Sequence, residues 1–282
     1  MQTAAGVVLA GGRSSRMGRP KAGLAWHGST FLYRTSALLG RAVDGPVVVV
    51  AAPGQTLPGL PDGVAVVQDP VEGLGPMQGV AAGLAAVADR AEIAFVCSTD
   101  MPFLHPAFVR RVLRGMDDTK ADMLLPFARG FRQPLAAGYR TSLAGLITTL
   151  IGEGDLRPGM LFKHCEVVQF DDAQLLDDSA LKRFDPELES VVNVNTPEDY
   201  ATALGRRPPT VVVERFGALA GKDGHRPTEI EAATLGAAAD AVGLTLDRHV
   251  VAAVNGDQVY RDAKLPLVTG DSVAFLSADA GG

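Results

Sequence analysis

Four short apolar runs, residues 6–10, 46–51, 64–68 and 93–98, punctuate the first part of the chain. Longer stretches around 30–40, 77–88 and 106–115 separate them, with apolar positions at helical spacing. Near-continuous hydrophobic runs suit strands buried on both faces, and strands alternating with helices suit a mostly parallel sheet with helices on either side. An α/β domain over about the first 200 residues is the expectation.

The pattern changes after Leu204. Gly205-Arg206-Arg207-Pro208-Pro209 combines charge with paired prolines, which disfavour both helix and sheet, and reads as a linker. Beyond it, 210–216 and 250–255 read as strands, 228–242 as an Ala-rich helix and 272–277 as a last strand. The chain therefore divides into a domain at 1–204, a linker at 205–209 and a small α+β domain at 210–282, near the lower limit of independent size. No internal repeat is present.

Composition narrows the classes. With 47% hydrophobic and 21% charged residues, the chain is globular rather than disordered or fibrous. A formal charge of −6 argues against a general appetite for nucleic acid or an anionic membrane and toward a small substrate. Cys97 and Cys165 are too few for a disulfide scaffold and lack zinc-site spacing, which fits a reducing compartment. The N-terminal residues lack a basic signal-peptide region, and no apolar run reaches the ~20 residues of a membrane span, so a cytoplasmic location is expected.

The chemistry concentrates in Leu9-Ala10-Gly11-Gly12-Arg13-Ser14-Ser15-Arg16-Met17-Gly18-Arg19-Pro20-Lys21, directly after the first expected strand. Ligands of open α/β sheets bind beyond the carboxyl ends of the strands, and glycines there let backbone N–H groups approach phosphate oxygens. Arg16 and Lys21 would add positive charge, Arg in a bidentate fork and Lys as a point charge. A plain surface turn with solvated basic residues is the alternative. The loop is no Walker A, because five residues separate Gly12 from Gly18 and two more separate Gly18 from Lys21; G-x-G-x-x-G is also absent.

Two carboxylates occupy equivalent positions: Asp69 ends the run at 64–68 and Asp100 follows the run at 93–98. Magnesium commonly takes one or two carboxylates plus substrate phosphates, so Asp100 would suffice as its main protein ligand. Either Asp could instead be a helix cap or turn former. Gly73-Leu74-Gly75-Pro76-Met77-Gln78-Gly79 offers close backbone approach and a helix N-terminus to an anion, or only turn chemistry. Asn195-Thr196-Pro197 reads as a helix cap with Pro at the first helical position.

The segment LAGG-x-S-x-RMG-x-x-K resembles the signature of the molybdenum cofactor guanylyltransferases, within the wider Rossmann-like NTP transferases. The resemblance spans about residues 4–204. It implies nucleotide contacts from Leu9, Ala10, Gly11, Gly12, Lys21, Asp69 and Asp100, and magnesium at Asp100. Through Gly75, Gly79, the Arg132-Gln133-Pro134-Leu135 segment and Asn195 it implies contacts to the second substrate, with Arg16, Lys21 and Asp100 as catalytic groups. The implied reaction takes GTP and molybdopterin: a terminal phosphate of molybdopterin attacks the α-phosphorus of GTP and displaces pyrophosphate. That nucleophile is already anionic, so positioning and charge neutralisation suffice, and none of the five histidines lies in these motifs.

The base is less determined. Pro20 stands where these enzymes usually carry Asp, RMG-x-PK is common in cytidine-transferring relatives, and Val50-Ala51 replace a guanine-side Asn; Gly12 points back to guanine. Transfer of a nucleotide to another phosphorylated small molecule, and a non-catalytic nucleotide-binding scaffold, also stand as alternatives, although intact Lys21 and Asp100 favour an enzyme.

Residues 209–282 resemble the β-grasp sulfur carriers of molybdopterin synthase, through the strand at 211–213, Asn255-Gly256, Thr269-Gly270-Asp271 and terminal Gly281-Gly282. That resemblance implies an E1-like activating enzyme and the large subunit of molybdopterin synthase as partners. An unbranched tail could enter a partner's active site and present its carboxylate. Ser277-Ala278-Asp279-Ala280 departs from the proline-rich approach of such carriers, so a domain retained for docking alone is the other reading.

Overall fold

The computed structural model describes residues 3–11, 17–71, 73–223, 226–256 and 258–277. These form two compact units, one of residues 1–24 and 30–200, the other of 25–29 and 201–282.

In the first unit β1 (Ala4–Leu9) is central, followed by β2 (Ala25–Trp26) and β3 (Ser29–Thr30), whose residues 25–29 group with the second unit. Next come α1 (Phe31–Gly40), β4 (Val47–Ala51), β5 (Ala65–Gln68), α2 (Pro76–Val87), β6 (Ile93–Ser98) and α3 (Pro106–Thr119). β7 (Met123–Ala128), β8 (Phe131–Arg132), β9 (Ala136–Arg140), α4 (Leu143–Gly152), α5 (Pro158–Leu161) and β10 (Val167–Phe170) follow. The short helices α6 (Asp172–Leu176) and α7 (Ser179–Phe184) precede α8 (Pro197–Leu204), within which the division between the units falls.

The main sheet runs β10-β7-β9-β6-β1-β4-β5, with β8 paired to β7 off this path. β1 pairs in parallel with β4 and β6, β4 with β5, and β7 with β10, whereas β9 is antiparallel to both neighbours. This is a mostly parallel α/β sheet with helices on both faces. Alternate residues of β1 serve both faces: Ala4 and Val8 join a core with α1 and α3, while Ala5, Val7 and Leu9 join one with α2.

One expectation fails at the sheet's edge. The run at 64–68 is not buried on both faces; among the described residues β5 pairs only with β4, and Val66 is 50% exposed. Its apolar letters match those of the central strands, but nothing covers its outer side within this sheet.

The α2 crossing over β1 and β4 depends on Gly83. A Cβ there would come within 2.3 Å of Val7 Cγ1 and 3.1 Å of Val50 Cγ2. Gly83→Ala should therefore destabilise by about 1–3 kcal/mol through overpacking. Gly145, exposed in α4 with nothing near its missing Cβ, gives the opposite sign: Gly145→Ala should gain roughly 1 kcal/mol of helix propensity. Urea midpoints of the two variants check both signs.

The second unit has β11 (Thr210–Arg215), β12 (Thr228–Glu231), α9 (Leu235–Ala241), β13 (Val250–Val254), β14 (Gln258–Tyr260) and β15 (Ser272–Ser277). The sheet order is β12-β11-β15-β13-β14, with β11 and β15 parallel at its centre and the other pairs antiparallel. Leu235, Ala238 and Ala239 of α9 pack on Val211, Val213, Ala252, Val273 and Phe275. The single helix expected over 228–242 is corrected here. Residues 228–231 pair with β11, and Thr234, whose Oγ1 accepts from the Ala237 N–H at 3.2 Å, starts the helix only at Leu235.

Residues 25–29 are held to the same unit by two side chains. Trp26 Nε1 donates to the Ala203 carbonyl at 2.9 Å, and His27 Nε2 lies 2.9 Å from the Arg206 carbonyl oxygen. A carbonyl only accepts, so the imidazole must carry its proton there.

Candidate active site

Hydrogen bonds between the ends of the parallel strands gather the site at one edge of the main sheet. The Ala10 and Gly11 N–H groups donate to the Val50 carbonyl at 2.9 and 3.2 Å, Thr99 N–H reaches the Leu9 carbonyl at 3.3 Å, and Asp69 N–H reaches the Ala51 carbonyl at 2.8 Å. The segment before α8 joins them through the Val194 N–H and the Asp100 carbonyl at 2.9 Å. A cavity of about 1000 Å³ opens over these ends. Its walls include Leu9, Ala10, Gly11, Lys21, Asp69, Gly75, Gly79, Asp100, Arg132 and Asn195. Gly12 and Arg16 lie outside the described residues, as do Gly281 and Gly282.

Lys21 is the centre of the polar network. Its Nζ donates to Asp100 Oδ2 at 2.8 Å and to Asn195 Oδ1 at 2.6 Å, joining residues 79 and 174 positions away. Asp100 caps no helix, since His105 is the N-cap of α3. Its second oxygen accepts from Ser98 Oγ. The carboxylate is thus held from two sides at the end of β6.

Asn195 is likewise more than a cap. The capping bonds before α8 are made by its neighbours: Asp199 Oδ2 accepts the N–H groups of Asn195 and Thr196, both at 2.9 Å, and Thr196 Oγ1 accepts the Asp199 N–H at 3.1 Å. Those backbone donors, Asn195 first, hold the Asp199 carboxyl below the usual carboxylate range. With the backbone fixed in this way, the Asn195 carboxamide oxygen meets Lys21.

Asp69 combines two roles, accepting the Val71 N–H at 3.2 Å in a local turn while it lines the cavity. Gly79 brings α2 close to it, because a Cβ there would stand 3.3 Å from Leu9 Cδ2 and 3.9 Å from Asp69 Oδ2. Gly75, at φ 80°, is the N-cap of α2 with Pro76 next, so the helix opens at the cavity. Arg132, on β8, has Nε 3.4 Å from Gln169 Oε1.

The sequence reading missed Arg19, Gln55 and Ser98, all on the cavity wall. Arg19 lies over the Tyr200 ring, 5.2 Å from its centroid. Proximity to Lys21 could have singled it out; Gln55, in a polar turn, carried no signal of its own. Burial, with the Asp100 charge adding to it, pushes the Cys97 thiol far up, so it is no nucleophile near neutral pH.

Chemically, the cavity presents Lys21, Arg19 and Arg132 beside Asp69 and Asp100, with glycine backbone at two strand exits. Cations and open backbone suit a polyphosphate, and a held carboxylate suits a hard cation that travels with one.

The family of MobA-like NTP transferase domains matches residues 6–169, more than half of the chain. Proteins of Mycobacterium bovis and Mycobacterium tuberculosis described as "Probable molybdenum cofactor guanylyltransferase" are 44% identical over 160 residues, 56% of this chain and 78% of theirs. One of the same description from Mycobacterium ulcerans is 37% identical over 198 residues, 69% of this chain and 90% of its own. Among solved structures, molybdopterin-guanine dinucleotide biosynthesis protein A from Archaeoglobus fulgidus superposes with a TM-score of 0.56 at 23% identity, covering 71% of this chain and 96% of that one. That likeness concerns the fold; together with the matched span and the 44% identity, it means that the chain belongs to the family of MobA-like NTP transferase domains and is a nucleotidyltransferase.

Proposed function

We propose that this chain transfers GMP from GTP to molybdopterin in the cytoplasm, releasing pyrophosphate, through a domain at 1–204. The observation that carries the reading is Lys21 bound between Asp100 and Asn195 on the wall of a strand-end cavity. Relatives described as guanylyltransferases favour guanine over cytosine despite Pro20.

In the reaction a terminal phosphate oxygen of molybdopterin forms a bond to the α-phosphorus of GTP, and the bond from that phosphorus to the bridging oxygen breaks. Pyrophosphate leaves with the electron pair. Lys21 and Arg132 neutralise charge that accumulates on the phosphates, and Leu9, Ala10 and Gly11 hold the nucleoside end against the β1 exit. Arg16 and Gly12, in the same stretch of sequence, belong to the phosphate side of this reading. Gly75 and Gly79 leave room for the acceptor near the start of α2, and Asn195 steadies Lys21.

A divalent ion, magnesium, accompanies the triphosphate in this proposal. The donors suit it: Asp100 is a hard oxygen ligand on the cavity wall, and no group of three or more His, Cys, Asp or Glu able to hold a metal occurs among the described residues. Substrate phosphates would complete the shell, as magnesium prefers. When bound, such an ion supplies charge neutralisation at the phosphates.

After a linker at 205–209, residues 210–282 form a β-grasp sulfur-carrier-like domain in this reading. The sheet order β12-β11-β15-β13-β14, with its parallel central pair and the helix α9 packed on it, supports it. Its partners would be an E1-like activating enzyme and the large subunit of molybdopterin synthase. Incubation with such an activating enzyme, ATP and a sulfur donor should give an adenylate and then a thiocarboxylate on Gly282, read by mass spectrometry. An unmodified C-terminus under conditions that modify a known carrier would leave only a docking role. For the transferase, pyrophosphate release that requires both GTP and molybdopterin is the test; release independent of molybdopterin would reject it.

A further inference from the structure

We infer that Gln55 is a positioning residue of the nucleotide site, clamping the exits of β1 and β4 into one preformed edge; the inference rests on the nucleotide reading given above. The Gln55 side chain crosses between the two strands. Its Nε2 donates to the Ala10 carbonyl at 3.0 Å, 45 positions away, and its Oε1 accepts the Ala52 N–H at 2.9 Å. The Gln55 N–H reaches the Ala52 carbonyl at 3.1 Å, so the residue that makes the clamp is itself held by a turn on β4's side. Gln55, Ala10 and Ala52 all line the cavity.

The clamp completes a pinned backbone. Ala10 and Gly11 N–H both donate to Val50, and the Leu9 carbonyl accepts from Thr99. A Cβ on Gly11 would approach Ala52 N to 3.2 Å, so the two exits already lie close together. A carboxamide of this length both gives a hydrogen bond to a carbonyl and accepts one from an N–H across this gap. A backbone edge fixed before binding need not be ordered by the ligand, so it lowers the cost of binding without acting on the reacting phosphorus. Loss of such an element should weaken binding in the ground and transition states alike, which raises KM and spares kcat.

The test uses the full chain with molybdopterin, magnesium and varied GTP, comparing Gln55→Met and Gln55→Glu with the unmodified protein. Methionine keeps the length and loses both bonds; glutamate keeps the acceptor for Ala52 and loses the donor to Ala10. Both should raise the KM for GTP by about tenfold, the factor expected for one or two hydrogen bonds, with kcat within about twofold. A KM unchanged in both variants, or a fall in kcat at constant KM, overturns the inference. If Gln55→Met does not fold, Gln55→Glu decides alone; if neither folds, Gln55 is structural and the inference is overturned. An unmodified chain that turns over no NTP refutes instead the nucleotide reading beneath it.

Discussion

Asp100→Ala should lower kcat/KM for nucleotidyl transfer by about 10³-fold, some 4 kcal/mol of transition-state stabilisation, and leave the fold intact. Asp100 belongs to neither main-sheet core; its side chain is 16% exposed and is held by Lys21 and Ser98 at the cavity. Truncation therefore removes little packing. It removes the carboxylate proposed to share a divalent cation with the phosphates, and it takes from Lys21 one of the side chains that hold it. Pyrophosphate release measured beside a thermal melt separates these effects: activity falls while the midpoint stays within a few degrees. Near-normal turnover in Asp100→Ala would sink the assignment of this carboxylate.

Lys21→Met should cost about 10²–10³-fold in kcat/KM, because it takes away a point charge that Asp100 and Asn195 hold in place. Arginine should recover less than about a tenth of the loss. The ammonium sits between acceptors at 2.8 and 2.6 Å, and a planar guanidinium cannot satisfy that geometry from the same stem. Lys21 and Asp100 touch, so the double variant should fall little below the worse single one. Steady-state kinetics of the four proteins check this, and full additivity would show that the two residues act independently.

Much of the main sheet was legible because its central strands are unbroken apolar runs bounded by turn residues, as at 6–10 and 93–98. Hydrophobicity alone could not place β5 at the edge, since the order of strands in a sheet is set by pairing over long range. The strands β7, β9 and β10 were missed; β9 includes Gly138, and its antiparallel insertion breaks the alternation of strand and helix. At 228–231, Thr-Glu-Ile-Glu preceding an Ala-rich stretch concealed a strand that β11 recruits.

The candidate site was legible at Lys21, Asp69 and Asp100, because the exits of parallel strands are where a sheet of this kind presents ligands. The cavity gathers these with Gly75, Gly79, Arg132 and Asn195. Gln55 could not be read in advance. Its meaning comes from a bond to a carbonyl 45 positions away, and a glutamine in a turn has no local signature.

The central claim is tested most directly by incubating the full chain with molybdopterin, magnesium and each NTP in turn, then identifying the product by mass. The account predicts a molybdopterin–guanine dinucleotide with one pyrophosphate per turnover from GTP, and far less product from CTP, ATP or UTP. A cytosine dinucleotide formed in preference would contradict the base assignment, and no dinucleotide from any NTP would contradict the proposed transfer to molybdopterin itself.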